Sequence, residues 1–235
     1  MAGLSGTAGL ILLAGLWLAY FAIHSLLAAR WVKAAVVRRA PVWGRRGYRI
    51  AYNLLAVVLL VPPLGLMAHL SGPPVLVWTG PAWWLAQGAA LLAITGFVVS
   101  LRGYDTGHFL GLGQWRAGGI TDSGAEPWEP LRLSGFHRFV RHPWYFFGLV
   151  ILWTRDMDTA RLVSAGAATL YLVVGSRLEE ARLRAAYGAA YAIYQKRVPG
   201  LIPLPGKGLA PQEAAALARQ ANQGPDPSNE QGELP

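Results

Sequence analysis

Three long apolar runs limit the possible folds of this chain more than any other feature. They cover residues 7–29, 50–70 and 81–101, and a helix needs roughly 20 apolar residues to cross the hydrocarbon core of a bilayer. The composition agrees, because 54% of the residues are hydrophobic and 14% are charged, whereas ordinary soluble domains carry about 25% charged residues. The sequence therefore predicts an all-α, polytopic integral membrane protein.

A shorter pair of apolar segments follows Pro143. The first segment runs to Trp153, residues 154–159 are polar, and residues 160–176 are apolar again. Short connections place consecutive helices side by side and antiparallel. We interpret the pair as a fourth and a fifth helix in a tight hairpin, so that about five transmembrane helices are expected in all.

The chain is predicted to consist of one membrane domain and a tail. Residues 1–205 form the membrane domain, and they contain no internal repeat of the length that a solenoid would need. The remaining residues, 206–235, are predicted to form a short helix at residues 211–222 and a disordered cytoplasmic tail, because the final residues are rich in Pro, Gly, Asn and acidic side chains.

The distribution of basic residues predicts the orientation in the membrane. Lys and Arg number seven in residues 30–49, five in residues 102–141 and seven from residue 177 onward, against none in residues 71–80 and two in residues 155–161. Short cytoplasmic loops collect basic residues. We therefore expect an N-terminus outside, a cytoplasmic C-terminus and, with no basic leader region, no cleaved signal peptide. A bacterial inner membrane is the expected location.

The net charge of +9 and the absence of cysteine narrow the possible partners. The cations flank apolar spans, so anionic lipid headgroups are expected to balance them, and we predict no nucleic-acid partner. A chain with no cysteine forms no disulfide, iron–sulfur cluster, thiolate zinc site or thiol intermediate. We predict no metal site, and any sulfur that reacts here must come from a substrate or a cofactor.

Arg141 and His142 directly precede Pro143, which disfavours helix at His142 and suits the first turn of the next helix. Both side chains are therefore expected at the start of the fourth helix, on the cytoplasmic side. A helix N-terminus with adjacent cations attracts an anionic ligand. The alternative is that Arg141 is one more basic anchor at the membrane surface.

Glu179 and Glu180 follow the fifth apolar segment. Neighbouring residues on a helix diverge by about 100°, so the two carboxylates cannot serve one face. Glu180 has local partners at helical spacing in Arg177 and Arg184, and an ordinary surface pair would account for it. Glu179 has no basic residue four positions away, so it is the better candidate for a ligand that presents ribose hydroxyls or an ammonium group.

Glycines recur every fourth residue after the third span, at Gly103, Gly107 and Gly111, and Gly113 and Gln114 follow. If the helix continues through this segment, the glycines form a smooth seam that lets a backbone or a ligand approach closely. Ordinary helix packing is an equal alternative. No strand precedes the segment, so a Rossmann fingerprint is not indicated.

The histidines do not support a membrane haem protein. His24 is expected near the cytoplasmic end of the first helix and His69 near the outer end of the second, so they cannot share an iron. The other three are expected in cytoplasmic segments, with no opposed pair across a bundle. We expect His24 and Ser25 to contribute to packing between the first two long helices.

In combination, these residues resemble the isoprenylcysteine carboxyl methyltransferase and phospholipid methyltransferase superfamily. The resemblance covers about residues 20 to 203, and most of it lies in the C-terminal 65 residues of that range. Its segments are Arg141 to Tyr145, the hairpin, Glu179-Glu180, Tyr187-Gly188 through Tyr194, Arg197 to Pro199 and Ile202-Pro203. Upstream, His24 to Ala28, Tyr52-Asn53 and His108 to Gln114 resemble the branch of methanethiol S-methyltransferases and NnrU-like proteins.

The resemblance implies a membrane methyltransferase that binds S-adenosylmethionine without a Rossmann domain and methylates a small or lipophilic thiol. By position, the implied cofactor contacts are His142, Tyr145, Gly148, Glu179 and Glu180, with Gly111, Gly113 and Gln114 as another wall. The implied catalytic residues are Arg141, His142 and His108. Arg182 departs from the family pattern, which often has an acidic residue there.

Methyl transfer is an in-line displacement, so the protein's main tasks are alignment and exclusion of water. A thiol must also lose its proton, for which a histidine is suited. Two alternatives to thiol methylation stay open at this stage. One is a different acceptor, a prenylcysteine carboxylate or a phospholipid amine, and the other is a non-catalytic accessory protein of nitrogen-oxide metabolism.

Overall fold

The computed structural model describes residues 6–101, 106–117, 119–120 and 130–223. These ranges are almost entirely helical and contain no named strand, which confirms the all-α prediction. The α-helices are α1 (Gly6–Ala28), α2 (Arg30–Arg39), α3 (Pro41–His69), α4 (Gly80–Leu101), α5 (Thr106–Leu110), α6 (Leu112–Ala117), α7 (Pro143–Trp153), α8 (Thr159–Arg197) and α9 (Pro211–Asn222). The predicted disordered tail lies outside the described residues.

Four helices in the described ranges, α1, α3, α4 and α8, are long and apolar enough to cross a membrane. This confirms the prediction of a polytopic membrane protein. The predicted fourth span is different, because α7 is apolar but has 11 residues. At about 1.5 Å per residue it is about 17 Å long, little more than half of a hydrocarbon core of about 30 Å.

The chain forms two compact units. The first consists of the described residues within Met1–Ala89, Leu101–Trp128 and Leu152–Tyr171. The second consists of those within Ala90–Ser100, Glu129–Ile151 and Leu172–Pro235. Helices α4 and α8 therefore contribute residues to both units.

In the first unit, α1 packs against α3 and the beginning of α8. The centre of this contact is apolar and includes Leu13, Trp17 and Ala160. The Trp17 indole Nε1 also donates a hydrogen bond of 2.9 Å to Ser164 Oγ. A polar link of this kind orients neighbouring helices in a lipid environment, where apolar contact alone is not selective.

Helix α5 does not continue into α6, so the condition for a continuous glycine seam is not met. Gly111 has φ +92°, a left-handed conformation that ends a helix and favours glycine. A Cβ there would also lie 3.0 Å from Arg49 Cβ. Arg49 Nε and Asn53 Nδ2 both donate to the Phe109 carbonyl, at 3.4 and 3.0 Å, and tie this turn to α3. Gly103 lies outside the described residues.

In the second unit, the C-terminal segment, which we define as residues 198–223, packs onto the last turns of α8. Its buried core includes Tyr191, Tyr194, Val198 and Leu209. Helix α8 bends upstream of this core at Gly188, whose φ of 56° and ψ of −136° are not helical. The bend allows the end of α8 and the segment after it to form a core of their own.

Helix α9 is joined to the same unit by a two-way hydrogen bond between a side chain and a backbone. Asn222 Oδ1 accepts from the Leu131 N–H at 2.7 Å, and Asn222 Nδ2 donates to the Leu131 carbonyl at 3.2 Å. The Arg197 guanidinium lies 3.0 Å from Glu213 near the N-terminus of α9. The residues after α8 are thereby held in place within the second unit.

Candidate functional site

A compact cluster of ionic groups lies where the start of α7 meets α8. Glu180 Oε1 accepts from Arg141 Nε at 2.7 Å and lies 3.0 Å from His142 Nε2. The side chains of Arg141 and Glu180 are only 12% and 14% exposed. Charges this buried are stable only when they are paired and hydrogen-bonded, and each charge here has a partner.

The backbone of the C-terminal segment completes this cluster. The N–H groups of Arg141 and His142 donate to the carbonyls of Pro199 and Gly200, at 2.8 and 3.0 Å. Arg141 Nη1 donates to the Gln195 carbonyl at 2.9 Å and to the Val198 carbonyl. The Arg141 guanidinium is thus engaged by Glu180 and by backbone oxygens, so it holds the segment in place.

Glu179 occupies a more open position than Glu180. Its side chain is 49% exposed, and its Oε2 lies 3.4 Å from His142 Nδ1. Tyr145 donates its hydroxyl to the same oxygen at 3.3 Å, and its ring stacks on His142 with centroids 5.2 Å apart. One turn along α7, a Cβ at Gly148 would meet nothing within 4 Å. Glu179 is therefore oriented by the cluster and remains accessible.

The two carboxylates determine the protonation state of His142. Burial alone would lower the pKa of His142, but its hydrogen bonds and charge interactions with Glu179 and Glu180 outweigh that effect and raise the pKa to about 9. His142 is therefore protonated at neutral pH and donates from both ring nitrogens. A protonated imidazole has no free lone pair with which to accept the proton of a thiol. His137 differs, since burial lowers its pKa.

Sequence reasoning missed Gln195 and assigned Glu180 a different partner. Glu180 and Arg184 have the spacing of a local helical pair, but Arg184 Nε donates to Gln195 Oε1 at 2.9 Å. Gln195 Nε2 in turn donates to Glu180 Oε2 at 3.1 Å. Gln195 comes 15 residues after Glu180, beyond the bend at Gly188, and no local spacing rule connects the two.

The remaining predicted site residues belong to the first unit. Gln114 on α6 is only 2% exposed, and its Nε2 has no hydrogen-bond partner among the described residues. Gly111 forms the turn before α6, and Gly113 lies in its first turn. His108 lies in α5, but its side chain is outside what the structure describes. The structure thus brings together Arg141, His142, Tyr145, Glu179 and Glu180, with Gly148 one turn away.

The chain is similar to several proteins named methanethiol S-methyltransferase. It is 32% identical over 193 residues to methanethiol S-methyltransferase 2 of Bradyrhizobium diazoefficiens, a match over 80% of this chain and 71% of that protein. It is 34% identical over 130 residues to a Pseudomonas relative, covering 52% of this chain and 44% of the relative.

A relative from Crocosphaera subtropica is 40% identical over 83 residues, which are 34% of this chain and 32% of that protein. The chain therefore matches only about a third of the length of this relative, although it matches most of the Bradyrhizobium protein. No protein-family model and no solved structure matches the chain.

Proposed function

Because this chain belongs to the methanethiol S-methyltransferase family, we propose that it transfers a methyl group from S-adenosylmethionine to a small or lipophilic thiol. The names of the relatives support the reaction class and the thiol acceptor. The absence of cysteine fits this proposal, because the chain offers no competing thiol of its own. We also propose the wider kinship with isoprenylcysteine carboxyl methyltransferases and NnrU-like proteins.

The observation that carries the proposal is the half-exposed Glu179 carboxylate, held by His142 and Tyr145. S-adenosylmethionine presents an ammonium group and a ribose diol, and both are donors that a carboxylate binds well. The Glu179 carboxylate therefore fits the ammonium group or the ribose diol of the cofactor. When bound, S-adenosylmethionine supplies an electrophilic methyl group on a sulfonium sulfur.

The neighbouring residues are proposed to position Glu179. Protonated His142 keeps a positive charge beside it, and Tyr145 fixes one of its oxygens. Arg141 acts one step further away, since it pairs with Glu180, which also contacts His142. Its side chain also donates to the Gln195 and Val198 carbonyls. Alignment and exclusion of water are the main requirements for a methyl displacement, and a rigid cluster of this kind meets the first.

The membrane orientation is also a proposal. The basic residues are concentrated in the segments predicted to be cytoplasmic, 19 of them against 2 in the opposite loops. We propose that the cluster faces the cytoplasm, that the N-terminus lies outside, and that the protein resides in a bacterial inner membrane with anionic lipids around its basic flanks. A cytoplasmic site has direct access to a soluble cofactor.

The proposal is tested by titrating S-adenosylmethionine into the detergent-purified protein by calorimetry, with S-adenosylhomocysteine as the product control. The parent is expected to bind both with micromolar affinity. Glu179→Gln removes a charged acceptor and should weaken S-adenosylmethionine binding by about 10-fold to 100-fold. Glu213→Gln is the matched control, since Glu213 is an exposed carboxylate paired with Arg197.

Equal affinities for the parent and Glu179→Gln would contradict the assignment of Glu179. Absence of binding by folded parent protein would contradict the proposed function and favour an accessory role. Turnover is then measured with methanethiol, a prenylcysteine and a phosphatidylethanolamine as separate acceptors. Methylation of the thiol alone is the expected result.

A further inference from the structure

A second polar cluster lies in the first unit, within the helices α1, α3 and α8. His24 on α1 uses its Nε2 in a hydrogen bond of 2.7 Å with the Tyr52 hydroxyl on α3. Its other ring nitrogen, Nδ1, is buried and has no hydrogen-bond partner among the described residues. An imidazole nitrogen of this kind is unusual in a native structure, because a buried polar atom without a partner loses its hydrogen bonds to water and gains none in return.

Aromatic rings surround this imidazole. The ring of Tyr20 stacks on His24 with centroids 5.6 Å apart, Tyr52 lies at 4.9 Å, and Tyr171 of α8 lies edge-on at 6.2 Å. Tyr171 is itself fixed by stacking on Phe21 at 4.1 Å with almost parallel planes. The free nitrogen therefore belongs to a rigid group with aromatic rings contributed by three helices.

The hydrogen bond to Tyr52 leaves Nδ1 free to make one hydrogen bond in either tautomer of His24. If Tyr52 donates to Nε2, then Nδ1 carries the proton and is a free donor. If Nε2 carries the proton and donates to Tyr52, then Nδ1 has a free lone pair and is an acceptor. A ligand that both donates and accepts weakly satisfies either state, and a thiol has that property.

The aromatic surroundings favour sulfur for a second, independent reason. Sulfur makes favourable contacts with aromatic rings at about 5 Å, and three rings contact the His24 imidazole. No Asp or Glu appears in the contacts of His24 within the described residues, so a cationic ligand would lack a counter-charge. The charge that acts on this group is that of Arg49, which interacts with Tyr52. The group therefore matches a small neutral thiol better than an amine.

We propose that His24 Nδ1, together with the rings of Tyr20, Tyr52 and Tyr171, forms the binding subsite for the sulfur of the thiol acceptor. The proposal rests on the function proposed above and names the residues that recognise its acceptor. It assigns a ligand contact to His24, which sequence analysis interpreted as a packing residue. Loss of the ring nitrogens should affect thiol recognition and leave cofactor binding unchanged.

The direct test is nuclear magnetic resonance on detergent-solubilised protein labelled with ¹⁵N-histidine, titrated with methanethiol in the absence of S-adenosylmethionine. His24→Phe, which loses one set of imidazole signals, identifies the His24 resonances. The expected result is a saturable shift of the His24 Nδ1 resonance, with a weaker response to methanol, the oxygen analogue. Absence of a shift at saturating thiol would overturn the proposal.

The kinetic test compares His24→Phe with Trp17→Phe. Trp17→Phe also removes one polar link between α1 and α8, the hydrogen bond to Ser164. It keeps an aromatic ring against Tyr20 and Phe21, so it tests the effect of helix packing while His24 keeps both ring nitrogens. His24→Phe should raise KM for methanethiol about tenfold, the effect of losing one neutral hydrogen bond. Its affinity for S-adenosylmethionine should stay unchanged, and Trp17→Phe should alter neither value.

The two tests separate this inference from the proposed function. Thiol methylation with an unchanged KM in His24→Phe and no thiol-dependent shift would overturn the subsite and leave the methyltransferase proposal intact. A shift at His24 in protein that binds no S-adenosylmethionine would support the subsite as a thiol site and contradict the methyltransferase proposal. An equal rise in KM in both variants would assign the effect to helix packing and overturn the subsite.

Discussion

His24 and His142 are the same residue type in two opposite environments. His142 has a carboxylate near each ring nitrogen, carries a positive charge at neutral pH and has no free hydrogen-bonding capacity in its ring. His24 has a single hydroxyl partner, neutral rings around it and one unpaired nitrogen. The difference teaches that the role of a histidine in this chain is determined by the side chains packed around it.

The two clusters also differ in what they can give to a ligand. The cluster of Arg141, His142 and Glu180 satisfies its own charges, so it is suited to holding other groups in place. The group around His24 leaves a polar atom unused, so it is suited to direct contact with a ligand. The following experiments break one cluster at a time and compare the consequences.

The largest effect is expected from Arg141→Met. The change leaves Glu180 without its arginine partner and removes the guanidinium donor from the Gln195 and Val198 carbonyls. Breaking a buried ion pair costs about 3–5 kcal/mol, which corresponds to a fall of roughly 10 °C in the melting temperature of a chain of this size. Scanning fluorimetry in detergent measures the melting temperature.

Trp17→Phe is the reference for Arg141→Met, because it removes one buried neutral hydrogen bond and should cost only about 1 kcal/mol. If Arg141→Met melted at the same temperature as Trp17→Phe, the charged cluster would not be a major source of stability. Arg141→Met combined with Glu180→Met should recover part of the loss, because no unpaired charge is then left inside.

The next effect is the dependence of stability on pH. Because the pKa of His142 is raised from its ordinary value of 6.5 to about 9 in the folded protein, protonated His142 stabilises the fold fully below pH 6.5. This contribution, about 3 kcal/mol, is lost as the pH rises through 9. The melting temperature of the parent should therefore fall between pH 6.5 and 9.

His142→Gln and His24→Gln distinguish the two histidines in the same pH series. His142→Gln should lose stability at neutral pH and show a nearly flat profile between pH 6.5 and 9. His24→Gln should retain the fall seen in the parent. A steep fall in His142→Gln would mean that another group is responsible for the pH dependence.

The smallest effects come from removing one hydroxyl at each cluster. Tyr145→Phe deletes the donor to Glu179 and should weaken S-adenosylmethionine binding about threefold to tenfold without altering KM for the thiol. Tyr52→Phe deletes the partner of His24 and should have the reverse pattern, with a rise of about threefold in KM for methanethiol. Calorimetry measures the affinity for S-adenosylmethionine, and initial-rate kinetics measure KM for methanethiol. If each variant changed both values, the two clusters would not serve separate ligands.

The membrane spans could be predicted from the sequence better than the helices that contain them. The apolar runs at residues 7–29 and 81–101 agree with α1 and α4 to within a residue or so at each end. The run at residues 50–70 found only the apolar part of α3, which begins at Pro41. The extra turns carry Arg45, Arg46 and Arg49, and hydropathy does not register a helix that continues beyond the bilayer.

The same reason explains α8, whose predicted apolar part was residues 160–176, whereas the helix reaches Arg197. The residues of α8 that contribute to the site, Glu179, Glu180 and Gln195, lie in this extension beyond residue 176. Glu180 was identified from its sequence position, but its partner Arg141 is 39 residues away and its partner Gln195 lies beyond a bend. Spacing rules describe neighbours on one helix and do not describe contacts that tertiary packing creates.

Gly111 shows the opposite case, a signal that was present in the sequence. A regular spacing of glycines suggested a continuous helix, although Gly111-Leu112-Gly113 is also typical of a turn. The left-handed φ of Gly111 and the close approach of Arg49 show that the turn was the correct interpretation. His24 likewise had a signal in its neighbours Tyr20 and Tyr52, which place several polar aromatic groups in apolar spans.

The hydrogen bonds from Arg141 and His142 to Pro199 and Gly200 also set an order of events during biosynthesis. The ribosome makes Val198, another acceptor for Arg141, 57 residues after Arg141 itself. At 5–20 residues per second this interval is roughly 3 to 11 seconds. During that time the Arg141 side chain must stay hydrated or bind lipid headgroups, so the charged cluster is assembled only after the preceding helices have been synthesised.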